Sequence, residues 1–215
     1  MPLNAEARRI ANAWDPAKDE AEGNQCKAYG AVGLMQRPGR LHITWVDDNT
    51  LKIDADAGTQ SRTFHFVASG SAPLPDAMTL PPASSVAPQV RAAQPNGPPS
   101  LQGYSVATWE GPGFGGGGRG GFGARPGGPP KTGTLKVVTT NLLPGYLRKN
   151  GVPYSDKAVV TEYINLLDGQ QSEKYFADTV LVDDPVYLTG PFLRTYNFKQ
   201  IPDATGWDPT PCWTK

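Results

Sequence analysis

The spacing of hydrophobic and polar positions changes its period along the chain. Residues 4–14 follow a helical spacing, with Asn4 where an N-cap belongs and Asp15-Pro16 as the stop. This short helix is expected to lay Ile10 and Trp14 against a larger body. From Arg40 the period becomes two: Leu41, Ile43 and Trp45 point one way and Arg40, His42 and Thr44 the other, as in a half-buried strand. Asp47-Asp48-Asn49 supplies a turn, residues 51–55 resume the alternation, Gly58 turns the chain again, and residues 62–67 form a third strand. These three segments read as a meander. Further strands are expected at 102–110, 134–142, 158–167, 174–182 and 192–198, with Asp168-Gly169 turning one into the next, for a total of about eight.

Two biased stretches interrupt the pattern. Residues 69–100 are rich in Ser, Ala and Pro, which bury little and forbid regular pairing, so a flexible loop or surface strap is expected. The glycine tract at 111–131 lies between two strand-like segments and reads as a hairpin tip lengthened by insertion, a change that costs little closure entropy. Sequential strands with one flanking helix favour a mainly β fold, an antiparallel up-and-down barrel or strongly curved sheet with two low-complexity insertions; a β-sandwich is the next candidate. The whole chain, 1–215, reads as one domain: a helix and N-terminal arm over 1–39, a β core over 40–198, and a tail over 199–215.

Composition narrows the function classes. Lys and Arg total 20 and Asp and Glu total 20, so no net field draws in nucleic acid or an anionic membrane. The apolar runs fall short of the roughly 20 residues of a membrane helix, and membrane insertion is not expected. Met1-Pro2-Leu3-Asn4 leads directly to Glu6, Arg8 and Arg9 without the apolar core of a signal peptide, as at a native terminus or one left by cleavage. Cys26 and Cys212 lie near opposite ends. They suit a bridge tying the termini together in an oxidising compartment, on the order of 4 kcal/mol by chain entropy, or else two free thiols. Short Cys/His metal spacings are absent and no cofactor is implied.

Several stretches resemble a family of exported, largely uncharacterised bacterial proteins. The resemblance is carried by His42-Ile43-Thr44-Trp45, by Gln102-Gly103-Tyr104-Ser105 with Trp109-Glu110-Gly111, and by Leu135 through Thr140. It continues through the most specific block, Gly145 to Pro153, and through Ser155-Asp156, Thr161-Glu162, Asp184 to Leu188 and Pro191-Phe192. What the resemblance implies is export to the periplasm or beyond and a lipocalin-like barrel; it carries no established reaction. The two long insertions depart from the pattern.

Candidate chemistry is sparse. The glycine tract has no Gly-Lys-Ser/Thr ending, so it is not a phosphate loop, and no Gly-x-Ser-x-Gly elbow, His-Glu-x-x-His pair or dinucleotide fingerprint occurs. His42 and His65 could share an inner wall with Asp54 or Glu162 and ligate a metal or move a proton, or make structural hydrogen bonds. Tyr146, Arg148, Asn150 and Asp156 sit in a loop that either contacts a ligand or anchors the barrel rim. Glu162, between Val160 and Ile164 on an apolar face, needs a partner such as Arg148 or Arg194, or carries a raised pKa fit for acid work. Asp183-Asp184-Pro185 reads as a turn or a weak calcium corner.

Three functions follow. The first is a β-barrel binding a small, partly apolar molecule through Tyr104, Trp109, Tyr146, Arg148, Asn150, His65 and Arg194. The second is a cofactor-independent lyase, isomerase or hydrolase in which Glu162, Asp156 or His42 shuttles a proton while Arg148 and Tyr146 hold an oxyanion. The third is an interaction module whose Pro-rich and Gly-rich loops dock partners.

Overall fold

A computed structural model describes residues 1–37, 39–66, 97–110 and 134–214. Its helices are α1 (Ala5–Asn12) and α2 (Pro16–Ala21); its strands are β1 (Leu41–Asp47), β2 (Thr50–Ala55), β3 (Gln60–Phe66), β4 (Tyr104–Glu110), β5 (Thr134–Thr140), β6 (Gly145–Tyr146), β7 (Pro153–Tyr154), β8 (Val159–Asp168), β9 (Lys174–Asp183) and β10 (Phe192–Lys199). Eight strands form one sheet in the order β1-β2-β3-β4-β5-β8-β9-β10, strongly curled into a half-barrel, while β6 and β7 pair separately. The mainly β expectation holds in its strongly curved form: β1 and β10 are edges of one open sheet.

Every junction in the large sheet is antiparallel except β3–β4, which is parallel. The up-and-down pattern therefore breaks once, because the chain leaves β3 at one end of the sheet and enters β4 at the other, where Ser100 bridges Leu142. The biased stretches at 69–100 and 111–131 fall outside the described residues, apart from 97–100.

Registered side chains separate into two faces. Ile53 pairs with Ile43 and Arg62, Phe64 with Ser105, Ser105 with Thr139, Val137 with Glu162, Glu162 with Val180, and Asp178 with Tyr196. These positions form the inner face, because side chains directly opposite on paired strands point the same way. The central strands are buried on both faces; Val106, Val138 and Leu181 on the outer side are also buried. This explains why β5 reads as a nearly continuous β-branched run.

The N-terminal arm fills the hollow. Asn4 Oδ1 caps α1 by accepting from the Ala7 backbone N–H at 2.9 Å, as the sequence predicts. The Asp15-Pro16 stop is also a start: Asp15 Oδ1 caps α2 at 2.9 Å from Ala17 N, with Pro16 in the first turn. The chain then sets Ala28, Tyr29, Ala31, Val32, Leu34 and Met35, all buried, over the inner face. Leu3, Ala7 and Val32 join Val160, Val180, Val182 and Phe192 in one core cluster. Met35 joins Ile53, Phe64, Ala107, Val137 and Ile164 in a second.

The tail runs back to the β2–β3 turn rather than away from the body. Thr210 N donates to Asp56 O at 3.0 Å, Trp213 N donates to the Tyr29 hydroxyl at 3.2 Å, and Cys212 is bonded to Cys26 with Cα atoms 5.1 Å apart. Gly58, in this turn at φ +74°, faces the Tyr29 ring so closely that no side chain fits. The disulfide thus locks the arm that fills the hollow. Replacing both cysteines by serine is expected to cost about 2–5 kcal/mol in urea unfolding, since the bridge closes a loop spanning nearly the whole chain; an unchanged midpoint would contradict the clasp.

Candidate functional site

A belt of polar side chains crosses the middle of the inner face, between the two apolar clusters. Arg62 on β3 reaches past β4 and β5 to Glu162 on β8, donating from Nη1 to Oε1 at 2.8 Å and from Nη2 to Oε2 at 2.6 Å, with both side chains wholly buried. Arg62 Nη2 also donates to Thr139 Oγ1 at 3.3 Å, and Thr139 shares a 2.7 Å hydroxyl contact with Ser105. Asp178 on β9 completes the belt; it is fully buried and neither oxygen meets a donor. Burial, and then the adjoining Glu162 carboxylate, push the Asp178 carboxyl well above its ordinary range against the pull of Arg62. One guanidinium balances one carboxylate, so burial beside Glu162 favours the protonated form of Asp178.

On one side of this belt the hollow is sealed by the N-terminal arm. The other side ends in an aromatic rim. Trp45, Phe66 and Trp109, on the inner face of β1, β3 and β4, form a ladder with ring centroids 5.0 and 5.9 Å apart. Phe176 and Phe198 face each other at 6.0 Å across β9 and β10, with Leu166 of β8 beside Phe176 in register. Met35 and Leu135 lie beneath, in the core cluster that all four of Phe66, Trp109, Phe176 and Phe198 pack against. This rim is partly open to solvent: Trp45 is 55% and Leu166 75% exposed, while Phe66, Trp109, Phe176 and Phe198 are half-buried. Large apolar side chains contiguous on a concave surface and in contact with water are what a ligand site needs.

The structure distributes the residues expected from sequence over three regions. Glu162, Trp109 and Arg194 lie on the inner face, where Glu162 takes Arg62 as its partner in place of Arg148 or Arg194. His42, His65 and Tyr104 lie on the outer face, opposite to an inner wall, because their parity in β1, β3 and β4 is that of Asp54 and Val106. His65 stacks on Tyr104 at 4.7 Å, and His42 meets the Trp207 ring edge at 6.2 Å. Among the described residues no group of three His, Cys, Asp or Glu side chains is placed to hold a metal.

The loop holding Tyr146, Arg148, Asn150 and Asp156 is tied to the body at both ends. Asp19 accepts from the Tyr146 hydroxyl at 3.0 Å and from Trp14 Nε1 at 2.6 Å, and burial together with Asp19 raises the Tyr146 phenol above its ordinary range. Gly151, at φ +70°, packs flush against Trp14. Asp184, fully buried, accepts from Ser155 N at 2.6 Å, Ser155 Oγ at 2.8 Å and Val186 N at 2.9 Å, so the Asp183-Asp184-Pro185 turn staples this loop to β9. Asn150 and Asp156 are exposed, and Asp156 pairs with Lys157 at 2.8 Å. Glu162, His42 and Asp156 thus stand apart on the inner face, the outer face and the loop surface.

Arg62, Asp178, Trp45, Phe66, Phe176 and Phe198 were not singled out from sequence. A signal existed: Arg62 shares parity with Phe64 and Phe66, and Asp178 with Phe176 and Val180, so charges recur on the apolar side of separate strands. Among the described residues no helix is long and apolar enough to cross a membrane. Comparison with protein-family models, with curated proteins and with solved structures finds no match.

Two consequences of the belt are measurable. Arg62→Met, which leaves two carboxyl groups facing each other, should lower stability by about 3–5 kcal/mol in urea; a loss under about 1 kcal/mol contradicts the clamp. Because the folded-state pKa of Asp178 is raised, the folded protein holds a proton that the unfolded chain releases, and stability is lost as pH rises above the unfolded value of about 4. Asp178→Asn should remove this loss, so its advantage over the native protein grows by about 1.4 kcal/mol per pH unit through that window. A pH-independent difference between the two would contradict a protonated Asp178.

Proposed function

We propose that this protein binds a small, partly apolar molecule at the aromatic rim of its curled sheet and works in an oxidising compartment outside the cytosol. The observation that carries the reading is the Trp45–Phe66–Trp109 ladder with Phe176 and Phe198, held on the inner face above Met35 and open to water. Such a surface contributes little to folding while exposed, and burying it against a guest returns about 25 cal/mol per Å². The rigid flanking strands favour binding, because they order the rings in advance.

Binding is better supported than proton-transfer chemistry. Both oxygens of Glu162 are engaged by Arg62, and His42 and Asp156 lie on other surfaces. A disulfide joining segments 186 residues apart supports an exported protein, since such bridges persist where thiols are not kept reduced.

Titration of the purified chain with a neutral apolar dye such as 1-aminoanthracene tests the site. Saturable binding is expected, weakened about ten-fold or more by Trp45→Ala and by Trp109→Ala, as for aromatic anchors elsewhere. Lys52→Gln, on the outer face, should leave it unchanged. Equal affinity in all three variants, or no saturable binding, would overturn the reading.

A further inference from the structure

Three arginines at the edge of the hollow have no acidic partner among the described residues. Arg37, Arg148 and Arg194 make no ion pair with any described residue; Arg37 only donates from Nε to Gly33 O at 3.4 Å and stacks over the Tyr29 ring at 5.5 Å. Their proximity follows from the backbone. Gln36 Nε2 donates to Leu147 O at 2.6 Å, which sets the chain at Arg37 beside the chain at Arg148. Arg194 and Tyr196 are successive inner-face residues of β10, and Tyr196 packs against both core clusters.

The half-buried Tyr196 phenol stands within the fields of the guanidinium groups of Arg194, Arg148 and Arg37, with the Asp178 carboxyl opposite it in register on β9. The crowding has a cost. Burial, and then Arg37, lower the pKa of neighbouring Lys149, and Arg37 is itself partly stripped of water. Like charges around a hydroxyl donor, with Arg37 and Arg148 half-buried and Arg194 exposed, make a surface complementary to a compact oxyanion. Guanidinium forks suit carboxylate and phosphate oxygens in particular.

The same strand continues toward the aromatic rim. From Arg194 through Tyr196 to Phe198 the inner face of β10 passes from charge to phenol to bare ring, a run of about 13 Å at strand rise. Phe198 then meets Phe176 and the rest of the rim.

We infer that the ligand is an anionic amphiphile, its oxyanion head held by Arg37, Arg148 and Arg194 with the Tyr196 hydroxyl, and its apolar body laid along Phe198 and Phe176. This rests on the apolar-binding reading above and adds the head group. The head is a carboxylate or a phosphate, both of which offer paired oxygens to the forks.

Calorimetric titration of the full chain at low salt with dodecanoate, dodecyl phosphate and dodecanol, each below its aggregation limit, separates the two readings. At least one anionic amphiphile should bind about ten-fold or more tighter than dodecanol, the size expected for charge-assisted hydrogen bonds, and the tighter of the two identifies the head. In R148Q/R194Q that ratio should fall below about two, with R194Q alone in between. Neither arginine has an ion-pair or hydrogen-bond partner among the described residues, and an unchanged thermal midpoint confirms that the variants fold. Dodecanol binding as tightly as both anionic chains, or a ratio preserved in R148Q/R194Q, overturns the anionic head while leaving the apolar site in place. Failure of all three to bind overturns both readings.

Discussion

The curled sheet depends on one buried interaction, the two-pronged clamp of Arg62 on Glu162. The two residues belong to strands separated by β4 and β5, so the clamp is a chord drawn across the curl, inside the core. Removing both charges from water is expensive, and only full hydrogen bonding and close contact offset that cost. The fold meets this demand in part: both Glu162 oxygens and both Arg62 Nη atoms are bonded and Thr139 adds a further contact, while Arg62 Nε stays buried without an acceptor among the described residues. A shift of register in β3 or β8 by one residue would turn Arg62 or Glu162 to the opposite face, so the clamp selects one pairing.

This constraint divides the inner face into regions with different tasks. Beyond the belt on one side, Leu3, Ala7 and Val32 complete a closed core against Val160, Val180 and Phe192. On the other, Met35 closes the floor, and the aromatic rings packed against that cluster stay partly exposed. The disulfide, the Asp19–Tyr146 bond and the Gln36–Leu147 bond all hold the arm in place. The hollow is therefore a shallow surface with a fixed floor, suited to holding one side of a guest against rigid rings, and the arginines border it where the arm meets β10.

Much of the fold could be read from residues. Period-two alternation located the eight strands of the main sheet, Asn4 marked the first helix, and the separation of the two cysteines suggested the bridge that is present. Other features depend on partners distant in sequence. Nothing local tells that β4 pairs parallel with β3, since that follows from where the chain crosses between them. The site was less legible. Glu162 stood out as a charge on an apolar face, but its partner lies 100 residues earlier, and either Arg148 or Arg194 was as plausible by composition as Arg62. His42 and His65 attracted attention by residue type, whereas their strand parity with Asp54 and Val106 puts them outside. The rim aromatics, spread singly over five strands, form a surface only once the sheet is assembled.

If the clamp is the organising interaction, the proton on Asp178 is its most specific consequence, because a second buried carboxylate beside Glu162 would leave the belt with an uncompensated charge. The side-chain carboxyl carbon of Asp178, followed by carbon NMR with Asp178→Asn to assign it, reports that proton directly. A resonance that keeps the position of a protonated carboxyl as pH rises well past about 4 is the predicted result. A resonance that titrates with an ordinary aspartate pKa near 4 would contradict the account.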